Sequence, residues 1–145
     1  MADPLILAAP ISVGELFDKI SILQLKAEHM AQAAQQAHVL HELAELTALQ
    51  RQHGLEGAFT DLAAALLQVN RQLWAVEDEL RAMERDGRFD SHFVAAARSV
   101  YRLNDQRSEL KRRINLLSGS QIVEEKSYFG QEGAEAPCKC DPGSA

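Results

Sequence analysis

The chain has little of what usually builds chemistry. Aromatic residues make up 6% of it, and its two cysteines stand together in "PCKC" (137–140). A core with so few rings must be mostly Leu, Ala, Val and Ile. Two cysteines supply no disulfide framework, and two thiolates alone do not complete a tetrahedral zinc site. Cys138 and Cys140 therefore read as free thiols in a flexible tail. There is no G-x-S-x-G, no P-loop and no dinucleotide fingerprint. No apolar run approaches the roughly 20 residues of a membrane span. The opening "MADPLILAAPISVGEL" has Asp3 where a secretory leader carries Lys or Arg, and Pro10 interrupts its apolar stretch, so a cytoplasmic location is expected. Excess positive charge is also lacking: the formal net charge is −6, which argues against a nucleic-acid partner.

What is present is helical patterning. Apolar residues make up 46% and charged residues 25% of the 145 positions, with Ala and Leu prominent, a composition that favours helices around a small core. Residues 1–11 read as an extended arm because Pro4 and Pro10 resist helix. "SVGE" (12–15) is a capping box: Ser12 can accept from the Glu15 N–H, and Glu15 can reach back, with Ile11 and Leu16 as the staple. A first stripe runs Val13, Leu16, Ile20, Leu23, Ala27, Met30. The next runs Val39, Leu43, Leu46, Leu49. From Met30 to Val39 a helix turns about 900°, so the apolar face flips by half a turn, and a helix break is expected near 31–37. "HGLEG" (53–57) ends the second helix.

The third helix carries Leu62, Leu66, Val69, Leu73, Val76, Leu80 and Met83 at alternating steps of four and three, a heptad seam. "RDGRFD" (85–90) turns the chain, with Asp90 as N-cap and Phe89 with Val94 as staple. The fourth helix runs from Ser91 to about Ser118, through Phe93, Ala97, Val100, Leu103, Leu110, Ile114 and Leu117, with Gly119 at its end. The expected fold is all-α: an antiparallel bundle or long hairpin of about four helices over 12–119, with extended N- and C-terminal arms. The C-terminal arm covers 120–130 and the tail 131–145.

Polar residues crowd these seams. The fourth helix puts Asn104 and Arg107 in its stripe, with Tyr101 and Lys111 nearby. The third has Asn70, Trp74, Glu77 and Arg81 on one strip, and the first has Glu15, Lys19, Ile22 and Lys26. Packed together, Lys19, Lys26, Arg107 and Lys111 could hold a small anion, with Tyr101 and Asn70 donating hydrogen bonds. Against this stand the pairs Glu15–Lys19, Glu77–Arg81 and Glu109–Arg113, which are spaced i,i+4 for surface ion pairs. A seam Asn commonly fixes register, and a seam Arg beside an acid is commonly structural. "RSELKRRIN" (107–115) reads as a solvated helix end whose dipole favours cations. His38, His41, Glu42 and Glu45 share a helix face, but HExxH is absent, and neither a metal nor another cofactor is expected.

"ISVGELFDKISILQLKAE" (11–28), "VNRQLWAVEDELR" (69–81), "FDSHFVAAARSVYRLNDQRSELKRRIN" (89–115) and "GSQIVEEKSY" (119–128) together resemble a family of short bacterial proteins catalogued as a domain of unknown function. The resemblance implies a small helical protein and no activity. It also implies, as an alternative, an accessory role in cell-envelope glycosylation. The chain departs from the family's pattern at "AQAAQQ" (31–36), where relatives carry an Asp-Pro-type turn. The cysteine tail lies outside the resemblance.

After Gly119 the chain writes Ile122, Val123, Glu124, Glu125, Lys126, Tyr128 and Phe129. This reads as an extended arm docked on the bundle by Ile122, Tyr128 and Phe129, beside residues 5–8, with Glu124, Glu125 and Lys126 over the polar helix faces. The favoured function is a non-catalytic binding or interaction module that self-associates, with a dimer expected. The alternative is an anion-binding enzyme or sensor, similar in architecture only to the all-helical chorismate mutases, where converging cations stabilise a transition state. That would require cations without carboxylate partners, and Glu15, Glu77, Asp78 and Asp105 stand beside them here.

Overall fold

The computed structural model describes residues 3–127. Among them four helices follow in order: α1 (Val13–His29), α2 (Ala33–Gln52), α3 (Thr60–Arg85) and α4 (Ser91–Ser118). The fold is an all-α bundle. Its frame is the α3–α4 hairpin, whose two helices share the most extensive contact. α1 lies on that hairpin and touches α2, α3 and α4, whereas α2 packs on α1 alone. The core gathers Phe17, Leu62, Leu66 and Ile114, flanked by Val13, Leu55, Phe59, Ala63 and Leu110.

Local rules explain most boundaries. Ser12 is extended and accepts from the Glu15 N–H at 3.0 Å, which starts α1. The other half of the capping box does not form, because Glu15 is drawn to Lys111 instead. The break after α1 occurs without Gly or Pro. Met30 turns extended, and Gln36 Nε2 takes up one of the carbonyls left over at the helix end by donating to Ala27 O at 3.0 Å, while His29 Nδ1 lies 2.8 Å from Leu25 O in the last turn. Asp90 caps α4 by accepting from the Phe93 N–H at 3.1 Å. The staple differs from expectation, since Phe89 packs edge-on against Phe93, with centroids 5.2 Å apart, and Val94 stays 52% exposed. Gly119, at φ 69°, ends α4 in the left-handed region that suits glycine.

Of the α3 heptad, Leu62, Leu66, Val69, Leu73 and Met83 are buried, and Val76 and Leu80 are half-buried. Phe59 enters α3 at φ 53°, an unusual conformation for a side-chain-bearing residue, and its ring packs edge-on to Phe17 at 5.9 Å. In α4 the buried alanine is Ala96 rather than Ala97, and Leu117 is exposed. The two arms form no strand among the described residues, and Leu5, Ile6 and Leu7 remain exposed. Tyr128, Phe129, Cys138 and Cys140 lie outside the described residues.

Candidate functional site

α1 crosses α4 closely because residue 14 is a glycine. A Cβ there would stand 2.5 Å from the Lys111 carbonyl oxygen and 2.9 Å from Asn115 Oδ1. The close approach lets the Gly14 N–H donate to Asn115 Oδ1 at 2.6 Å. One turn along α1, Asp18 is 1% exposed. Arg107 grips its carboxylate with two nitrogens, Nε at 2.9 Å from Oδ1 and Nη2 on Oδ2. Asn70 Nδ2 donates to Asp18 Oδ1 at 2.9 Å and to Ser21 Oγ at 2.7 Å. Ser21 Oγ in turn donates to the Asp18 carbonyl at 2.8 Å. A buried carboxylate is tolerable only when paired and hydrogen-bonded, and here α3 and α4 supply the partners. The hydrogen bond to Asp18 raises the Arg107 pKa against the opposing effect of burial, so Arg107 keeps its charge.

The same polar seam continues to the C-terminal arm. Lys111 Nζ meets Glu15 Oε2 at 2.5 Å. Glu124 accepts from Ser12 Oγ at 2.5 Å and from Asn115 Nδ2 at 3.0 Å. Burial pushes the Glu124 carboxyl up. The Ser12 bond, with help from Lys111 and Asn115, outweighs this and holds it below the ordinary carboxylate value. Ser120 Oγ receives the Val13 N–H at 3.3 Å. Glu125 takes Arg112 at 3.1 Å, and Lys126 Nζ donates to the Asn104 carbonyl at 3.3 Å. The arm thus runs back along α4 and ties its last turns to the start of α1.

Of the residues singled out from the sequence, Asn70, Arg107, Lys111 and Glu124 meet in this network, with Glu125, Lys126 and Asn104 at its edge. Asn104 and Arg107 also line a cleft of about 200 Å³ with Asn70, Trp74 and Glu77. Arg81 stays on the surface, 4.0 Å from Glu77 and 3.7 Å from Asp78, and so does not converge with the rest. Tyr101 is 52% exposed beneath Arg102, away from the seam. Lys19 is exposed and Lys26 half-buried, and neither side chain joins the network. Glu15 pairs across helices rather than with Lys19. No group of three or more potential metal ligands occurs among the described residues, and none of the described helices is long and apolar enough to cross a membrane.

A family model described as "Family of unknown function (DUF6165)" matches residues 7–144. The chain belongs to this family. No curated protein and no solved structure matches it. The DUF6165 match takes in Cys138 and Cys140, so the tail falls inside the family rather than outside the resemblance.

The seam contains side chains that the sequence did not mark as site residues: Asn115, and Ser12 beyond its capping role, as bridges to the arm, and Asp18 and Ser21 at the centre. A signal existed for α1. Gly14, Asp18, Ser21 and Leu25 step four, three and four, and all four are buried. That is a second seam, at right angles to thinking of α1 as a helix with one covered face.

Proposed function

We propose that this chain is a non-catalytic interaction module whose polar seam locks three helices and the C-terminal arm into one surface. One observation carries the reading: the seam's cations already have carboxylate partners in the chain. Arg107 holds Asp18, and Lys111 holds Glu15. Electrostatic catalysis or anion capture needs uncompensated positive charge aimed at the ligand. Committed pairs supply register and rigidity instead, the best-attested role of buried polar groups.

A second reading has one observation behind it. Asn104, Arg107, Ser108, Lys111 and Lys126 line a cleft of about 140 Å³, large enough for a small oxyanion. An anion bound there would have to compete with Asp18 and Glu15 for the same nitrogens. Thermal melts with phosphosugars, nucleotides, dicarboxylates and divalent metals, at matched ionic strength, separate the two. The module reading expects no saturable stabiliser. A hit abolished by Arg107→Met or Lys111→Met would replace it with an anion site.

A further inference from the structure

Leu5, Ile6 and Leu7 are 85%, 73% and 83% exposed. Three consecutive large apolar side chains in water are a surface waiting to be covered. Pro4 and Pro10 bracket them, and the arm carries no helix or strand. A few residues on, the same chain builds an apolar groove of about 420 Å³, walled by Ile11, Val13, Leu16, Leu49 and Leu55. Its polar side chains are Ser12, His53 and Ser118, and the rest of its lining is apolar. Ala9 forms part of its rim, so the arm leaves from the groove's own edge, and the exposure of Leu5 and Leu7 means that they do not fill it. Beside Ser118, Leu116 and Leu117 are also 63% and 66% exposed.

Knob and hole therefore sit at one end of one chain, and among the described residues neither is filled by its own molecule. We infer that a second copy of this chain fills them: two copies exchange N-terminal arms across a two-fold axis, and Leu5 and Leu7 of each enter the groove of the other. Leu5 and Leu7 project from the same side of an extended segment. A cavity of roughly 150 Å³ accommodates a benzene-sized group, so the groove has room for two leucine side chains. A two-fold pairing needs a self-complementary patch, and arm exchange is a low-cost way to make one. Covering the five exposed residues removes roughly 400 Å² of side-chain surface per copy. Doubled, with groove walls and arm backbone added, the pair reaches the lower range of specific interfaces, about 1,200 Å².

This inference rests on the interaction-module reading and gives it a partner. It is tested by sedimentation of the full chain over roughly 1–200 µM, which resolves a micromolar dissociation constant. The wild type is expected as a dimer that weakens on dilution. The variant Leu5→Ser/Ile6→Ser/Leu7→Ser is expected as a monomer with unchanged helix content, because none of these side chains is in the core. In a Cys138→Ser/Cys140→Ser background, Leu5→Cys with Leu49→Cys is expected to oxidise to a covalent dimer. A monomeric wild type, a dimer that survives the triple replacement, or a crosslink closed within one chain would each overturn the exchange. A saturable anion in the thermal melts would instead overturn the module reading, so the two failures are distinguishable.

Discussion

Replacing Arg107 by Met removes the partner of a carboxylate that water hardly reaches. The Asp18 side chain is 1% exposed, the Arg107 side chain 30%. Without the guanidinium, Asp18 keeps the 2.9 Å bond from Asn70 and no ion pair. Breaking a buried pair from one side costs about 3–5 kcal/mol, and the partial exposure of Arg107 places this case near 3. At about 3 °C per kcal/mol for a chain of this size, the melting temperature should fall by about 9 °C. Removing both charges, as Asp18→Leu/Arg107→Met, should be milder, about 1–2 kcal/mol below wild type. The buried charge is then gone, and Asn70 loses one acceptor, while Ser21 keeps its bond to the residue 18 main-chain carbonyl. Urea unfolding followed by far-UV circular dichroism at pH 7 measures all three forms and the single Asp18→Leu variant. An Arg107→Met chain within 1 kcal/mol of wild type, or a double variant no more stable than Arg107→Met, would refute the reasoning.

Other consequences are as specific. Gly14→Ala should destabilise by about 2–3 kcal/mol in the same assay, since its Cβ would meet a backbone carbonyl at 2.5 Å that cannot swing away. The Glu124 carboxyl is held below its ordinary 4.5, so its contribution is full above the unfolded value and is lost as pH falls through the folded one. The stability gap between wild type and Glu124→Gln should therefore be constant above the ordinary carboxylate value of 4.5 and narrow as pH falls below it. Trypsin should cut after Lys126 slowly in the wild type and faster in Glu124→Ala, which releases the bonds to Ser12 and Asn115; fast cleavage of the wild type would rule out a docked arm.

Much of the frame was legible. The heptad of α3 named five of its buried residues, and Ser12, Asp90 and Gly119 marked helix ends by rules that depend on nearest neighbours alone. The break after α1 was visible only as a half-turn flip of the stripe, because it falls at Met30 and the side chain that takes up a free carbonyl is Gln36, neither of which signals a helix end in sequence. Asp18 was hidden for a different reason. α1 touches three helices, so more than one of its faces is covered, and a carboxylate in a polar-looking position was buried by a neighbour far along the chain. Spacing within one helix shows which residues share a face; which faces meet depends on the crossing at Gly14, a long-range property. The exposure of Leu117 has the same origin. It continues the α4 stripe, but α1 begins opposite Asn115, and among the described residues nothing covers the stripe beyond.

The central claim is that the seam's cations are committed to the chain's own carboxylates. The most direct measurement is the melting temperature against a panel of small anions, each balanced by a chloride control of equal ionic strength. The account predicts that no anion exceeds its control. A saturable rise, reaching about 2.7 kcal/mol of added stability at a hundredfold excess over the dissociation constant and lost in Lys111→Met, would contradict it.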